Sequence, residues 1–241
     1  MFIHIHIHSH SCTLVHSHSK AGTREIEGAT KGKFAWNVEI PDGCYCIEYF
    51  DPYGKDISAY GGRFEQLLLG LKQVYGCEIL QNKTKFQKDG HNCGVICALA
   101  AIDRKDAKDF SELCRGWDSA FGRHPKDMSD RINNIRVQIN VKAPAWLGEK
   151  DFRELFTPVR VLDKHQGNFA NTEFLYLGCH ASGEFGFVSK RSSDMFATYR
   201  HAHNVFFFLN TDNGSGVHWT LVNISRKRHC NCCSLLRVFA M

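Results

Sequence analysis

Residues Phe86 to Gly94 read Phe-Gln-Lys-Asp-Gly-His-Asn-Cys-Gly, and the run Val95-Ile96-Cys97-Ala98-Leu99-Ala100-Ala101-Ile102 follows directly. A segment apolar nearly all round cannot lie at a surface. It predicts a central helix from Cys93 to Ile102, buried on every side, around which the rest of the chain must pack. Cys93 stands where a Gly-bearing loop enters that helix. The partial positive charge of a helix N-terminus favours a thiolate over a thiol. Gln87, six positions upstream of Cys93, is close enough to bring an amide donor back to the cysteine, as an oxyanion hole requires.

The chain has 241 residues, enough for one or two domains with a real core. With 43% hydrophobic and 23% charged residues, the composition is that of a soluble globular protein. No stretch approaches the ~20 apolar residues of a membrane span. The opening Met1-Phe2-Ile3-His4-Ile5-His6 alternates and lacks the continuous apolar core of a signal peptide, which predicts a cytoplasmic or nuclear protein. The net charge of +5 is not concentrated, and Arg226-Lys227-Arg228 reads as a short solvated run, so no nucleic-acid signature stands out. Eleven irregularly spaced cysteines are not a secreted disulfide framework. In a reducing compartment most act as small hydrophobes, and Cys44, Cys46 and Cys97 read as core.

Four regions follow. Residues 1–30 are a His-rich, low-complexity leader, with six of the 14 histidines between His4 and His18. It reads as sequence without packed structure, the alternative being a metal-binding tract. Residues 31–143 open with a predicted β-hairpin, Phe34 to Ile40 and Cys44 to Phe50 around Pro41-Asp42-Gly43, stopped by Asp51-Pro52-Tyr53-Gly54. Phe64 to Tyr75 predicts an amphipathic helix, Cys77 to Leu80 a short strand, and Asp106–Leu113 and Met128–Arg136 further helices. Residues 144–225 hold a helical pattern around Trp146, Leu147, Phe152, Leu155 and Phe156, ended by Pro158. Strands are predicted at Leu175–Leu177, Val205–Leu209 and Val217–Ile224, with the polar loop Asn210 to Gly216 before the last. Residues 226–241 form a basic tail with Cys230, Cys232 and Cys233, which lacks the four ligands of a structural metal site.

A thiol peptidase needs a nucleophile, a base, a group that orients the base and an oxyanion donor. Cys93 and Gln87 supply the first and last. His218, at the start of an apolar strand after a Gly-containing loop, is the candidate base, and Asp51, at the end of an apolar strand, the candidate orienter. In isolation His218 reads as a structural histidine and Asp51 as a turn residue; the case rests on the four together.

These motifs resemble the cysteine-peptidase clan of the adenovirus proteinase and the ubiquitin-like-protein (SUMO/NEDD8-type) proteases. The resemblance lies in His218-Trp219 with the apolar strand after it, Tyr49-Phe50-Asp51-Pro52-Tyr53-Gly54, and the spacing from Gln87 to Cys93-Gly94. Trp146-Leu147-Gly148-Glu149 matches more loosely. The resemblance spans roughly residues 33–105 and 144–225. It implies an α+β fold of papain-like, adenain-like kind, a mixed and mostly antiparallel sheet packed on a buried helix bearing the nucleophile. It also implies a protein substrate with a ubiquitin-like or Gly-rich cleavage site, no cofactor and no metal. Trp219 would wall the substrate cleft, or else fill the core.

The order departs from the family, in which His and Asp precede Gln and Cys. Here Asp51, Gln87 and Cys93 come first and His218 last. Either the chain is circularly permuted and closes on itself, or it joins the back half of one copy to the front half of another. In the second case Lys33-Phe34-Ala35-Trp36 holds the His-Trp position beside Asp51, His218 is displaced, and the protein is a non-catalytic hybrid that at most binds a ubiquitin-like partner. Lysine cannot replace the imidazole as base.

Overall fold

The computed structural model describes residues 22–24, 38–142, 146–156, 174–211 and 218–227. The chain is α+β. In chain order it forms β1 (Gly22–Arg24), β2 (Val38–Ile40), β3 (Cys44–Phe50), α1 (Gly62–Tyr75), β4 (Ile79–Gln81), α2 (Cys93–Asp106), α3 (Phe110–Arg123) and α4 (Pro125–Gln138). Then come α5 (149–156), β5 (Phe174–Ala181), α6 (Phe185–Thr198), β6 (Asn204–Asn210) and β7 (Trp219–Lys227).

Strands β3 to β7 make one mixed sheet in the order β4-β3-β7-β6-β5. The two central junctions, β3 with β7 and β7 with β6, are antiparallel, and the outer pairs β3–β4 and β5–β6 are parallel. The halves on either side of residue 144 therefore share a single sheet. Its seam is the register from Cys44 opposite Lys227 to Phe50 opposite Leu221.

Both faces of the sheet are covered. Phe50, Phe206, Phe208 and Leu221 join the core built on α2, with Leu113 and Trp117 of α3, Ile135 of α4 and Phe152 of α5. Ile47, Tyr49, Phe207 and Val222 point the other way, onto Leu68 and Leu71 of α1 and Val188 and Phe196 of α6. A strand buried on both sides has no polar face, which is why β6 reads as an apolar run from Val205 to Leu209 and β3 as one broken only by Glu48. Helix α2 is the expected central helix, with every residue from Cys93 to Ala101 buried.

A buried ion pair helps to fasten α2 to the sheet. Arg104 donates from Nε and Nη2 to the two carboxylate oxygens of Glu48 on β3, each at 2.7 Å. Asn223 of β7 donates to Glu48 Oε2 at 2.7 Å and to Asn204 Oδ1 of β6 at 2.9 Å. Both charges are buried, so their partners are what make the burial tolerable.

Several expectations need correction. The predicted hairpin does not form: β2 pairs with β1, and the place beside β3 is held by β7. Gly22–Arg24 thus gives the leader one strand, and Arg226 and Lys227 end β7 rather than begin a tail. Cys44 is half-buried, whereas Cys46 and Cys97 are core. The first polar helix starts later than predicted, at Phe110, where Asp109 Oδ1 accepts from Glu112 N at 2.8 Å. Helix α6 was not anticipated. The His4–His18 tract, Lys33 to Trp36, Pro158 and Cys230 to Cys233 lie outside the described residues.

Candidate active site

Strand β3 ends at Phe50, and Asp51 follows in a tight turn closed by Gly54 N donating to Asp51 O at 2.8 Å. Gly54 has φ +65, and a Cβ there would meet the Lys83 and Thr84 carbonyls at 2.7 Å, so only glycine fits. The Asp51 carboxylate is fully buried. Oδ1 accepts from Tyr53 N at 2.9 Å, and Oδ2 from Lys55 N at 3.0 Å and the Tyr60 hydroxyl at 2.7 Å. Asn82 grips its backbone, with Asp51 N donating to Oδ1 and Nδ2 donating to Asp51 O, both at 2.8 Å.

The fourth donor to the carboxylate is His218, whose Nε2 lies 2.8 Å from Asp51 Oδ1. An ionised carboxylate only accepts, so Nε2 carries the proton and Nδ1 is left as the basic nitrogen. His218 immediately precedes β7, and its carbonyl is held by Thr211 N at 3.0 Å. Two tyrosines stack on its ring: Tyr53 at 4.8 Å between centroids and Tyr60 at 5.6 Å. The Lys55 ammonium lies over the same two rings, 5.5 Å from each centroid.

Cys93 is the first residue of α2 and is fully buried. The backbone N–H of Trp219, the residue after His218, is directed at its sulfur. Burial is the largest influence on the thiol and pushes its pKa above the ordinary value. The Trp219, Gly94 and Cys93 N–H groups work against that rise. The helix-terminus expectation is thereby corrected: the local amides favour the thiolate, and desolvation outweighs them. Gly94 permits the close approach, since a Cβ there would stand 2.9 Å from Leu147 Cβ and 3.3 Å from the Trp219 indole.

Gln87 is buried beside the same turn, its N–H donating to Pro52 O at 2.8 Å. Its amide nitrogen donates to Asp89 O at 2.8 Å and lies 3.4 Å from Asp89 Oδ1, while Oε1 is buried with no hydrogen-bond partner. One amide hydrogen is thus committed to Asp89 O, and the second is only loosely held. Trp219 is a core residue: its indole N–H donates to Leu147 O at 2.8 Å, and its ring packs edge-on against Phe152 at 5.4 Å. This placement favours the core role over that of a cleft wall.

The fold therefore joins Asp51 and His218 directly, sets the residue after His218 against Cys93, and anchors Gln87 beside Asp51. Tyr53, Tyr60, Asn82 and Asp89 were not anticipated from sequence. The Asp-Pro-Tyr-Gly turn contains the one available signal, an aromatic residue two positions after the candidate acid. Among the described residues no group of three or more His, Cys, Asp or Glu side chains is placed to hold a metal ion, and no helix is long and apolar enough to cross a membrane. Comparisons with protein-family models, curated proteins and solved structures find no match.

Proposed function

We propose that this protein is a cysteine peptidase or isopeptidase acting on ubiquitin-like or viral-type, Gly-containing protein substrates, with a papain-like, adenain-like domain in circularly permuted order. The observation that carries the proposal is the Asp51–His218 pair at 2.8 Å, with the next residue's N–H on the Cys93 sulfur. The alternative, a hybrid of two half-copies in which His218 is displaced from Asp51, does not account for this contact or for β7 lying beside β3.

In this reading His218 Nδ1 takes the Cys93 proton as the sulfur attacks the scissile carbonyl carbon. Asp51 holds the tautomer and stabilises the imidazolium. The tetrahedral oxyanion is met by the Cys93 backbone N–H and the loosely held amide hydrogen of Gln87. One such donor is worth on the order of 10² to 10³ in rate. The imidazolium returns its proton to the leaving amine, and water hydrolyses the thioester with His218 again as base. The raised thiol pKa suits a nucleophile generated on demand rather than a standing ion pair. Free thiols at this density suit a reducing compartment, the cytoplasm or nucleus.

Hydrolysis of fluorogenic substrates ending in ubiquitin-like C-terminal sequences tests the reading. Wild type is expected to turn over, and Cys93→Ala and His218→Ala to be inactive. A folded wild type with no hydrolysis, or equal rates in all three, would refute it.

A further inference from the structure

Three links converge on Tyr53, none needed to explain why its ring is there. Its backbone N–H donates to Asp51 Oδ1 at 2.9 Å, the oxygen that also holds His218. Its ring stacks on the His218 imidazole at 4.8 Å with 29° between planes. Its hydroxyl donates to Asp89 O at 3.0 Å, the carbonyl that also receives the Gln87 amide nitrogen at 2.8 Å. A carbonyl oxygen has two lone pairs, and here Tyr53 and Gln87 take one each.

The Asp89 end of this bridge is stiff. Its carboxylate accepts from His91 N at 3.0 Å, Asn92 N at 2.8 Å and Asn92 Nδ2 at 2.6 Å, folding the loop before Cys93 onto one side chain. Arg136 of α4 donates to Asn92 Oδ1 from the far side. The Tyr53 hydroxyl is pushed above the usual phenol range, chiefly by burial, so it remains a donor at neutral pH.

We infer that Tyr53 is a positioning residue that ties the Asp51–His218 pair to the Gln87 amide, setting base and oxyanion donor in one frame. The inference rests on the peptidase reading. The ring and the hydroxyl have separable jobs. The ring holds the imidazole; the hydroxyl occupies the second lone pair of Asp89 O and fixes how that carbonyl holds Gln87. Tyr53→Phe removes only the second.

Two reactions separate these jobs. Alkylation of Cys93 by iodoacetamide develops no oxyanion and reads the nucleophile and base alone. Hydrolysis of the fluorogenic substrate reads the oxyanion donor as well. Tyr53→Phe is expected to alkylate at the wild-type rate while kcat falls about 3- to 10-fold, the size of one hydrogen bond, with KM unchanged. In a Gln87→Ala background, Tyr53→Phe is expected to cost nothing further, because its effect runs through the amide already removed. Tyr53→Phe with wild-type kcat would overturn the inference. So would an equal fall in alkylation and kcat, or a full additional loss in the Gln87→Ala background, the mark of a general structural role. A folded wild type that alkylates at Cys93 but hydrolyses nothing would overturn the peptidase reading and the inference with it.

Discussion

His218 Nε2 and Asp51 Oδ1 lie 2.8 Å apart across 167 residues of sequence. The antiparallel register of β3 with β7 brings them together, since it puts the end of β3 beside the start of β7. The pair is thus a consequence of sheet order, and the segments carrying it come from opposite ends of the chain. Four donors converge on the carboxylate, which fixes its direction as well as compensating its burial.

Asp51→Asn should separate charge from shape. An amide offers one acceptor oxygen where the carboxylate offers two, so its N–H₂ must face either Tyr53 N and His218 or Lys55 N and Tyr60. The imidazolium also loses its counter-charge. A fall in kcat on the order of 10⁴ is expected, by analogy with other triads, together with a lower melting temperature. Undiminished hydrolysis by a folded Asp51→Asn protein would remove Asp51 from the site.

The pH dependence of Cys93 labelling follows from its raised thiol pKa. The protonated form dominates at neutral pH, so iodoacetamide labelling of Cys93 should climb about tenfold per pH unit from 6 to 8, since the reactive species is the thiolate. Cys93 should still label first. The ground is position rather than acidity: burial raises the Cys46, Cys77, Cys97, Cys114 and Cys179 thiols as well, and Cys93 is set apart by the Trp219, Gly94 and Cys93 N–H groups at its sulfur and by the proposed base His218. Peptide mapping by mass spectrometry at each pH reads both. A rate independent of pH between 5 and 8 would reveal a preformed thiolate–imidazolium pair.

The Arg104–Glu48 pair makes a stability prediction. Glu48→Ala leaves a buried guanidinium beside apolar strands and strips Asn223 of an acceptor. Unfolding by urea should show a loss of about 3–5 kcal/mol. The double variant Arg104→Met/Glu48→Leu removes both charges and should recover most of that loss. If Glu48→Ala is as stable as wild type, the link is incidental to holding α2 on the sheet.

How much of this is legible in sequence depends on the range of the interaction. The apolar run after Cys93 announces α2, and the aromatic runs announce β3 and β6, because burial on all sides leaves its mark on every residue. The turn chemistry of Pro41-Asp42-Gly43 is equally plain, yet it says nothing of which strand β3 pairs with, and β7 takes that place from 183 residues beyond Cys44. Helix α6 hides because Ser189, Ser192 and Ser193 break the apolar stripe. Their cost is met by contacts sequence spacing does not reveal, such as the Ser192 hydroxyl on Val188 O at 2.7 Å and against Tyr75 OH at 2.6 Å. At Cys93 the helix terminus is a local feature and could be read, whereas desolvation is tertiary and reversed the direction. Nothing in the spacing of Tyr53 and Tyr60 shows that they stack on a histidine.

The permuted order can be tested by undoing it. Lys227 at the end of β7 lies opposite Cys44 at the start of β3, so a short turn can join them as a hairpin. A chain running 144–227, a Gly-containing turn, then 44–143 would have His218 before Asp51 and Cys93, with every strand of the five-stranded sheet retained. It would lack β2, whose Val38 and Ile40 are buried against the α1 and α6 side, so its melting temperature should be lower. Its circular dichroism and rate of Cys93 alkylation should otherwise match the natural chain, because the contacts and not their order define the core. A rearranged chain that folds but alkylates Cys93 no faster than the His218→Ala variant would show that the natural order is itself required to bring base and nucleophile together.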